Sequence, residues 1–163
     1  MIYIRQSMWE TNSSSVHQFT IDYDKSIDSD LFRNDIHIPK EIELKYIVFG
    51  WEYEDYYTID EKVTYILACL DDLSSDDPYL KYRKILLDFL SNNGVTIKNL
   101  DTFKFGYGKT IKDPDCLVDH AYDHLMNLIP ILDDQESLYR FLFLDTSFIS
   151  TGNDNDGPFS DDD

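Results

Sequence analysis

The sequence predicts an α+β fold, in which a mostly antiparallel sheet of about five strands carries four helices packed on one face. Segments with alternating apolar residues, typical of strands, are separated by segments whose apolar residues recur every three to four positions, typical of helices. Their order along the chain favours α+β over a regular α/β alternation. The length of 163 residues suits one domain. We therefore predict a globular domain over residues 1–150 and an acidic, disordered tail over residues 151–163.

Alternation of apolar residues predicts the strands. Residues 16–21 alternate and place His17, Phe19 and Ile21 on one face. Residues 42–50 form the strongest predicted strand, because the segment becomes continuously apolar, as a central strand does. Shorter strands are predicted at residues 2–5, 95–97 and 148–149, and a hairpin at residues 103–105 and 110–112.

Apolar residues at helical spacing predict the helices. The first covers residues 59–73, and the second begins at Pro78 and ends near Asn93. The third is predicted over residues 115–129, where Pro130 ends or kinks it. The fourth follows an acidic first turn, which suits the helix dipole. The four apolar stripes consist of Val63, Ile66, Leu67 and Leu70; Tyr82, Ile85, Leu86, Phe89 and Leu90; Leu117, Ala121, Leu125 and Leu128; and Leu138, Phe141, Leu142 and Leu144.

The net charge of −18 is the main global feature of the chain. It argues against direct binding to DNA, RNA or an anionic membrane, because all three require positive surface on the protein. Residues 113–163 hold thirteen carboxylates and a single cation, Arg140. Such charge usually serves solubility, but an acidic surface also suits docking on a basic one. No segment approaches about 18 consecutive apolar residues and the N-terminus lacks a long apolar run, so we expect a cytoplasmic protein.

One segment interleaves aromatic rings with carboxylates. Tyrosine and tryptophan dominate binding hot spots, so the segment suits a protein–protein interface, whereas the alternative is that the rings flank the core. We predict partner binding through this segment and through three acidic residues at the start of the fourth helix. The predicted partner-binding residues are Trp51, Glu52, Tyr53, Glu54, Asp55, Tyr56, Tyr57, Asp133, Asp134 and Glu136.

The stretch from Arg5 to His17 resembles the opening of small proteins from phages and related mobile elements. Those proteins begin with an arginine and then an aromatic residue, followed by Glu-Thr-Asn-Ser-Ser-Ser, one variable residue and a histidine. Here the aromatic residue is Trp9 and the string ends at His17. The resemblance covers about a tenth of the chain. It bears on the origin of the chain and implies no catalytic residues.

The same stretch allows three chemical interpretations. Its asparagine and serines favour a turn between two strands, because their side chains bond neighbouring backbone groups. A catalytic set would use Ser14 or Ser15 as the nucleophile, His17 as its base and Glu10 as the orienting carboxylate. Ser15 and His17, however, lie about 6.6 Å apart along a strand, too far for direct proton transfer. A loop that binds phosphate or a nucleotide fits better, because hydroxyls and exposed N–H groups suit an anion. The candidate ligand-binding residues are Glu10, Asn12, Ser13, Ser14, Ser15 and His17.

Three residues suggest a zinc site. On the predicted third helix Cys116, His120 and His124 recur every four residues and therefore share one side. Thiolate and imidazole are ligands that zinc prefers. The alternative is a buried thiol with two histidines at the core boundary, because structural zinc sites usually combine two paired ligand clusters. The candidates for a fourth ligand are Cys69, His17 and His37.

These observations support three functional hypotheses. The first is a non-enzymatic interaction protein from a phage or mobile element, which inhibits a nucleic-acid-binding host defence protein by occupying its basic surface. The second is an enzyme, or a binder of a phosphate or nucleotide ligand, built on residues 10–17. The third is a small zinc-stabilised domain. We rank them in this order, because the chain contains no recognisable catalytic motif.

Overall fold

The structure, a computed structural model, describes residues 2–4, 15–24, 36–50, 52–71, 73, 77–106, 114–118 and 121–153. The strands in this part of the chain are β1 (Ile2–Ile4), β2 (Ser15–Ile21), β3 (Glu41–Ile42), β4 (Val48–Phe49), β5 (Glu54–Tyr56), β6 (Thr96–Ile97), β7 (Leu117–Val118) and β8 (Phe148–Asn153). The helices are α1 (Ile59–Asp71), α2 (Lys81–Asn92), α3 (Ala121–Asp133) and α4 (Gln135–Phe143), and a short 3-10 helix (Pro78–Leu80) precedes α2. This mixture of helices and strands agrees with the predicted α+β class.

The largest sheet has four strands in the order β1-β2-β8-β5, all antiparallel. The prediction of about five strands is therefore wrong for the described part of the chain. The cause is the segment 42–50, which does not join this sheet. Its ends form β3 and β4, and these short strands pair in parallel with β6 and β7.

In the middle of segment 42–50, the backbone groups form hydrogen bonds with side chains. In a strand they would form hydrogen bonds with the backbone of a neighbouring strand. Asn99 accepts a hydrogen bond from the backbone N–H of Leu44 and donates one to its carbonyl oxygen. The backbone N–H of Lys45 donates to the hydroxyl of Thr64 in α1. Because these backbone groups are already bonded to side chains, Leu44 and Lys45 need no neighbouring strand.

Two helix boundaries differ in how well they were predicted. The first helix begins as expected, because Thr58 and Glu61 form a capping box: Glu61 N–H donates to Thr58 Oγ1 at 3.3 Å, and Thr58 N–H donates to Glu61 Oε2 at 2.9 Å. The third helix begins at Ala121 and continues through Pro130 to Asp133, so the predicted range of residues 115–129 is wrong. Residues 117–118 instead pair with β4.

The structure describes only part of the predicted hairpin and of the predicted tail. Phe105 forms a parallel bridge with Cys116, and residues 107–113, which include the second predicted hairpin strand, lie outside the described residues. β8 extends to Asn153, three residues into the segment that we assigned to the tail. Its residues are held by pairing with both β2 and β5. Residues 154–163 lie outside the described part.

The core lies between the inner face of the large sheet and the helices. His17, Phe19 and Ile21 share this face, as the alternation in β2 predicts, and all three are buried. The ring of Phe19 meets Tyr65 of α1 and Phe141 of α4 edge-on. α1 is the most buried helix segment, because every residue from 62 to 70 is buried. No helix in the described ranges has both the length and the apolar character needed to cross a membrane.

Candidate functional site

The inner face of β2 carries a buried cluster of polar rings. The imidazole of His17 is stacked on that of His124 in α3, with 3.7 Å between ring centroids and 5° between ring planes. Nδ1 of His17 is hydrogen-bonded to the hydroxyl of Tyr65 at 2.5 Å. Only 4% of His17 and 8% of His124 is exposed. We call His17, Tyr65 and His124 the histidine cluster.

Gly50 makes room for this cluster. Its φ of +98° lies in the left-handed region, where side chains other than glycine are strained. A Cβ at this position would also lie 2.5 Å from Nε2 of His17 and 3.1 Å from Cβ of Ser15. Gly50, the last residue of the predicted strand 42–50, is therefore also the residue whose backbone lies against His17.

Two thiols extend the histidine cluster into the core. Burial, followed by the neighbouring thiols of Cys69 and Cys116, raises the pKa of Tyr65 well above its usual value. Burial and then Asp115 raise the pKa of Cys116 to about 12. The phenol and this thiol are therefore neutral at pH 7. Neutral, enclosed groups of this kind fix side-chain positions and order the core.

The predicted ligand-binding residues are only partly placed by the structure. Glu10, Asn12, Ser13 and Ser14 lie outside the described residues. Ser15 is half-buried, and its enclosed hydroxyl has no hydrogen-bond partner within the described ranges. His17 faces the same side of β2 as Ser15, as predicted, but its Nδ1 is bonded to Tyr65 in the core.

Only part of the predicted zinc site lies within the described residues, and Cys116 is not on the helix where it was predicted. Cys116 lies in a bridge with Phe105, before α3 begins, so it does not share a helix face with His124. His120 lies outside the described residues. Within the described ranges, no group of three or more histidine, cysteine or acidic side chains is arranged to hold a metal ion.

A second polar feature lies on the outer face of the sheet, next to the strand β5. Side chains alternate along a strand, so Tyr53, Asp55 and Tyr57 share this face. All three are exposed, Tyr53 to 59% and Tyr57 to 45%. We call these three residues the tyrosine–aspartate stripe.

The neighbouring strand β8 positions the two rings of the stripe. The ring of Tyr53 covers Gly152 of β8, where an added Cβ would lie 2.5 Å from the ring. The ring of Tyr57 lies 4.9 Å from that of Phe148, which is also in β8. Each tyrosine therefore contacts one residue of β8 and remains exposed.

The carboxylate of Asp55 is held between these rings. Its Oδ2 accepts a hydrogen bond from the Tyr57 hydroxyl at 3.1 Å, and its Oδ1 accepts one from the Ser150 hydroxyl. Desolvation and the bond to Asp55 raise the pKa of Tyr57, so its hydroxyl stays protonated and donates. Both oxygens of Asp55 are thus fixed in position while the carboxylate stays exposed.

Tyr56 must be removed from the predicted partner-binding set. It is only 3% exposed, because it lies on the inner face of β5 and meets the ring of Phe49 edge-on, 4.7 Å away. Burial and then its bond to Glu54 raise its pKa. Glu52 and Glu54 are exposed, as predicted, and Trp51 lies outside the described residues.

The three carboxylates predicted to bind a partner near α4 all have intramolecular roles. Asp133 accepts hydrogen bonds from the Tyr82 hydroxyl at 2.9 and 3.0 Å. Asp134 is the N-cap of α4 and accepts from the backbone N–H of Ser137 at 2.7 Å. Glu136 pairs with Arg140 at 2.8 Å. These contacts account for the acidic turn through helix capping and ion pairing, without a partner.

Sequence reasoning missed a buried cation. Lys62 is fully buried in α1, and its ammonium donates to the carbonyl oxygen of Leu144 at 3.1 Å. Burial lowers its pKa to about 7, although Asp145 and Glu61 oppose this shift. Lys62 lies directly beside the apolar stripe, and no pattern in the sequence separates it from an ordinary surface lysine.

Comparisons with known proteins give no match, so the function has to be argued from the fold and from these contacts. No family model matches the chain, and no curated protein or solved structure is significantly similar to it.

Proposed function

We propose that this chain is a non-enzymatic interaction protein that occupies the basic surface of a nucleic-acid-binding protein and thereby inhibits it. The phage-like opening string makes a defence protein of the host cell the natural target. The net charge of −18 supports this proposal, because acidic surface is attracted to the surfaces that otherwise bind phosphates.

The observation that carries the proposal is the tyrosine–aspartate stripe. Tyrosine is enriched in protein interfaces, where it supplies a large contact area and a polar tip. Here two tyrosines stand exposed on either side of a carboxylate whose two oxygens are hydrogen-bonded. Asp133 and Asp134 near α4 are bonded only to neutral donors and keep their charges, so they contribute long-range attraction, whereas Glu136 is paired with Arg140.

Capture from a lysate of the host cell tests this proposal. Tagged protein is incubated at low and at high salt, with and without duplex DNA as a competitor. The double variant Tyr53→Ala/Tyr57→Ala removes the rings of the stripe. The matched control is Tyr46→Ala/Tyr122→Ala, because these two tyrosines are also exposed, to 76% and 46%, but lie outside the stripe.

The expected result is one stoichiometric partner that salt or DNA releases, that the stripe variant no longer captures and that the control variant still captures. A partner that is captured equally by both variants would contradict a role for the stripe. No partner at any salt concentration would contradict the proposed function itself.

A further inference from the structure

We infer that the tyrosine–aspartate stripe is a receptor for one arginine side chain of the partner, an inference that rests on the proposed function. A basic surface presents arginine or lysine, and the two cations differ in shape. The guanidinium of arginine is planar and binds a carboxylate through two parallel hydrogen bonds. The ammonium of lysine is a compact point charge with no such fork.

The hydrogen bonds of Asp55 leave the acceptor sites that a guanidinium needs. An ionised carboxylate has about four acceptor positions, two on each oxygen. The Tyr57 hydroxyl occupies one position on Oδ2, and the Ser150 hydroxyl occupies one on Oδ1. One position therefore stays available on each oxygen, which matches the two donors of an arginine fork. Both hydroxyls also hold the carboxylate still, so that less side-chain entropy is lost on binding.

Asp55 is not neutralised by a cation of its own chain within the described residues. The ion pairs found in that part of the chain join Lys45 to Asp60, Lys84 to Asp88 and Arg140 to Glu136. None of them involves the stripe. The negative charge of Asp55 is thus available to a cation of the partner.

The two tyrosines complete the receptor. Residues two positions apart on a strand are about 6.6 Å apart, so a ring stands on either side of the carboxylate at a distance that a guanidinium bound there can reach. Arginine stacks on aromatic faces more readily than lysine, because its guanidinium is flat and weakly hydrated. Tyr53 and Tyr57 also stay 59% and 45% exposed although β8 lies against each ring, so both rings are accessible to a partner.

Two synthetic peptides test this inference without knowledge of the partner. One alternates glycine with arginine and the other alternates glycine with lysine, at equal length, equal charge and with blocked ends. Their affinities are measured by titration calorimetry at low salt. The Asp55→Asn variant removes the charge of the receptor, and Asp101→Asn is the matched control, because Asp101 is an exposed carboxylate outside the stripe.

We expect the arginine peptide to bind about fivefold more tightly than the lysine peptide. Asp55→Asn should abolish this preference, and Asp101→Asn should preserve it. Equal binding of the two peptides, or an arginine preference that survives Asp55→Asn, would overturn the arginine receptor while leaving the acidic docking surface in place. If neither peptide binds at low salt, the proposed function fails together with the receptor.

Discussion

The imidazole rings of His17 and His124 lie parallel in the core, with 3.7 Å between their centroids. One ring belongs to the second strand of the sheet and the other to α3, so the contact joins two elements that are far apart in the sequence. Tyr65 of α1 bonds the first of these rings. The histidine cluster is therefore the point where the sheet, α1 and α3 meet.

The bond between Tyr65 and His17 should contribute measurably to stability. We expect Tyr65→Phe to lower the free energy of unfolding by about 1–2 kcal/mol, because it removes the hydroxyl that a buried imidazole nitrogen bonds. Urea unfolding followed by circular dichroism measures the change. Tyr46→Phe is the control, since that ring is 76% exposed. Equal stability of the two variants would show that the bond is dispensable.

Gly50→Ala should be more damaging than the same change at Gly94. Both glycines have positive φ, +98° and +76°, and backbone strain of about 1–2 kcal/mol is expected at each. An added Cβ at Gly50 would also collide with His17, whereas nothing lies within 4 Å of one at Gly94. Thermal unfolding should therefore place the Gly50→Ala variant clearly below Gly94→Ala. Matching transition temperatures would contradict the close approach of Gly50 and His17.

The sequence predicted the buried face of β2 correctly but placed the start of α3 wrongly. The alternation of His17, Phe19 and Ile21 predicted their common buried face, because a strand has a period of two. The start of α3 was placed too early, because Leu117 fits a helical stripe as well as a buried strand. The choice of strand depends on pairing with β4, which is distant in sequence and invisible to local periodicity.

The candidate site shows the same limit. Interleaved rings and carboxylates predicted an interface around β5, but they did not predict which rings face outward. Which rings face outward depends on the pairing register of β5. A shift of one residue would turn Tyr56 outward and its neighbours inward. The register follows from pairing between Asp55 and Ser150, at a sequence distance that no local pattern covers. The same pairing supplies the hydroxyl that fixes the Asp55 carboxylate.

The buried Lys62 should make stability depend on pH. Its pKa in the folded protein is about 7, against 10.5 in the unfolded chain, so the unfolded state binds more protons between these values. The free energy of unfolding should therefore rise with pH across this window, by up to about 5 kcal/mol. Lys62→Met lacks the titrating group. We expect this variant to be more stable than the parent near pH 6.5, with the difference shrinking toward pH 10. A difference that does not change with pH would contradict this account.

Asp134 should stabilise α4 as its N-cap. Asp134→Ala is expected to cost about 1 kcal/mol, because the backbone N–H of Ser137 loses its acceptor, while Asp134→Asn keeps an acceptor oxygen and should cost less. Hydrogen bonds from Ser137 lower the pKa of Asp134. The contribution of its charge is therefore present above the usual aspartate pKa and disappears as the pH falls through the lowered value. Urea midpoints of both variants at pH 7 and pH 3 measure this. Equal loss in both variants at pH 7 would contradict the capping role.

We propose that the partner contacts the outer sheet face at β5 and β8. Hydrogen–deuterium exchange of this chain, alone and with the captured partner, tests it most directly. We predict that the partner slows exchange in residues 52–57 and 148–152, and that Tyr53→Ala/Tyr57→Ala weakens the complex about tenfold or more. Protection confined to α2 and α4, with residues 52–57 unchanged, would contradict the claim and place the interface on the helical side.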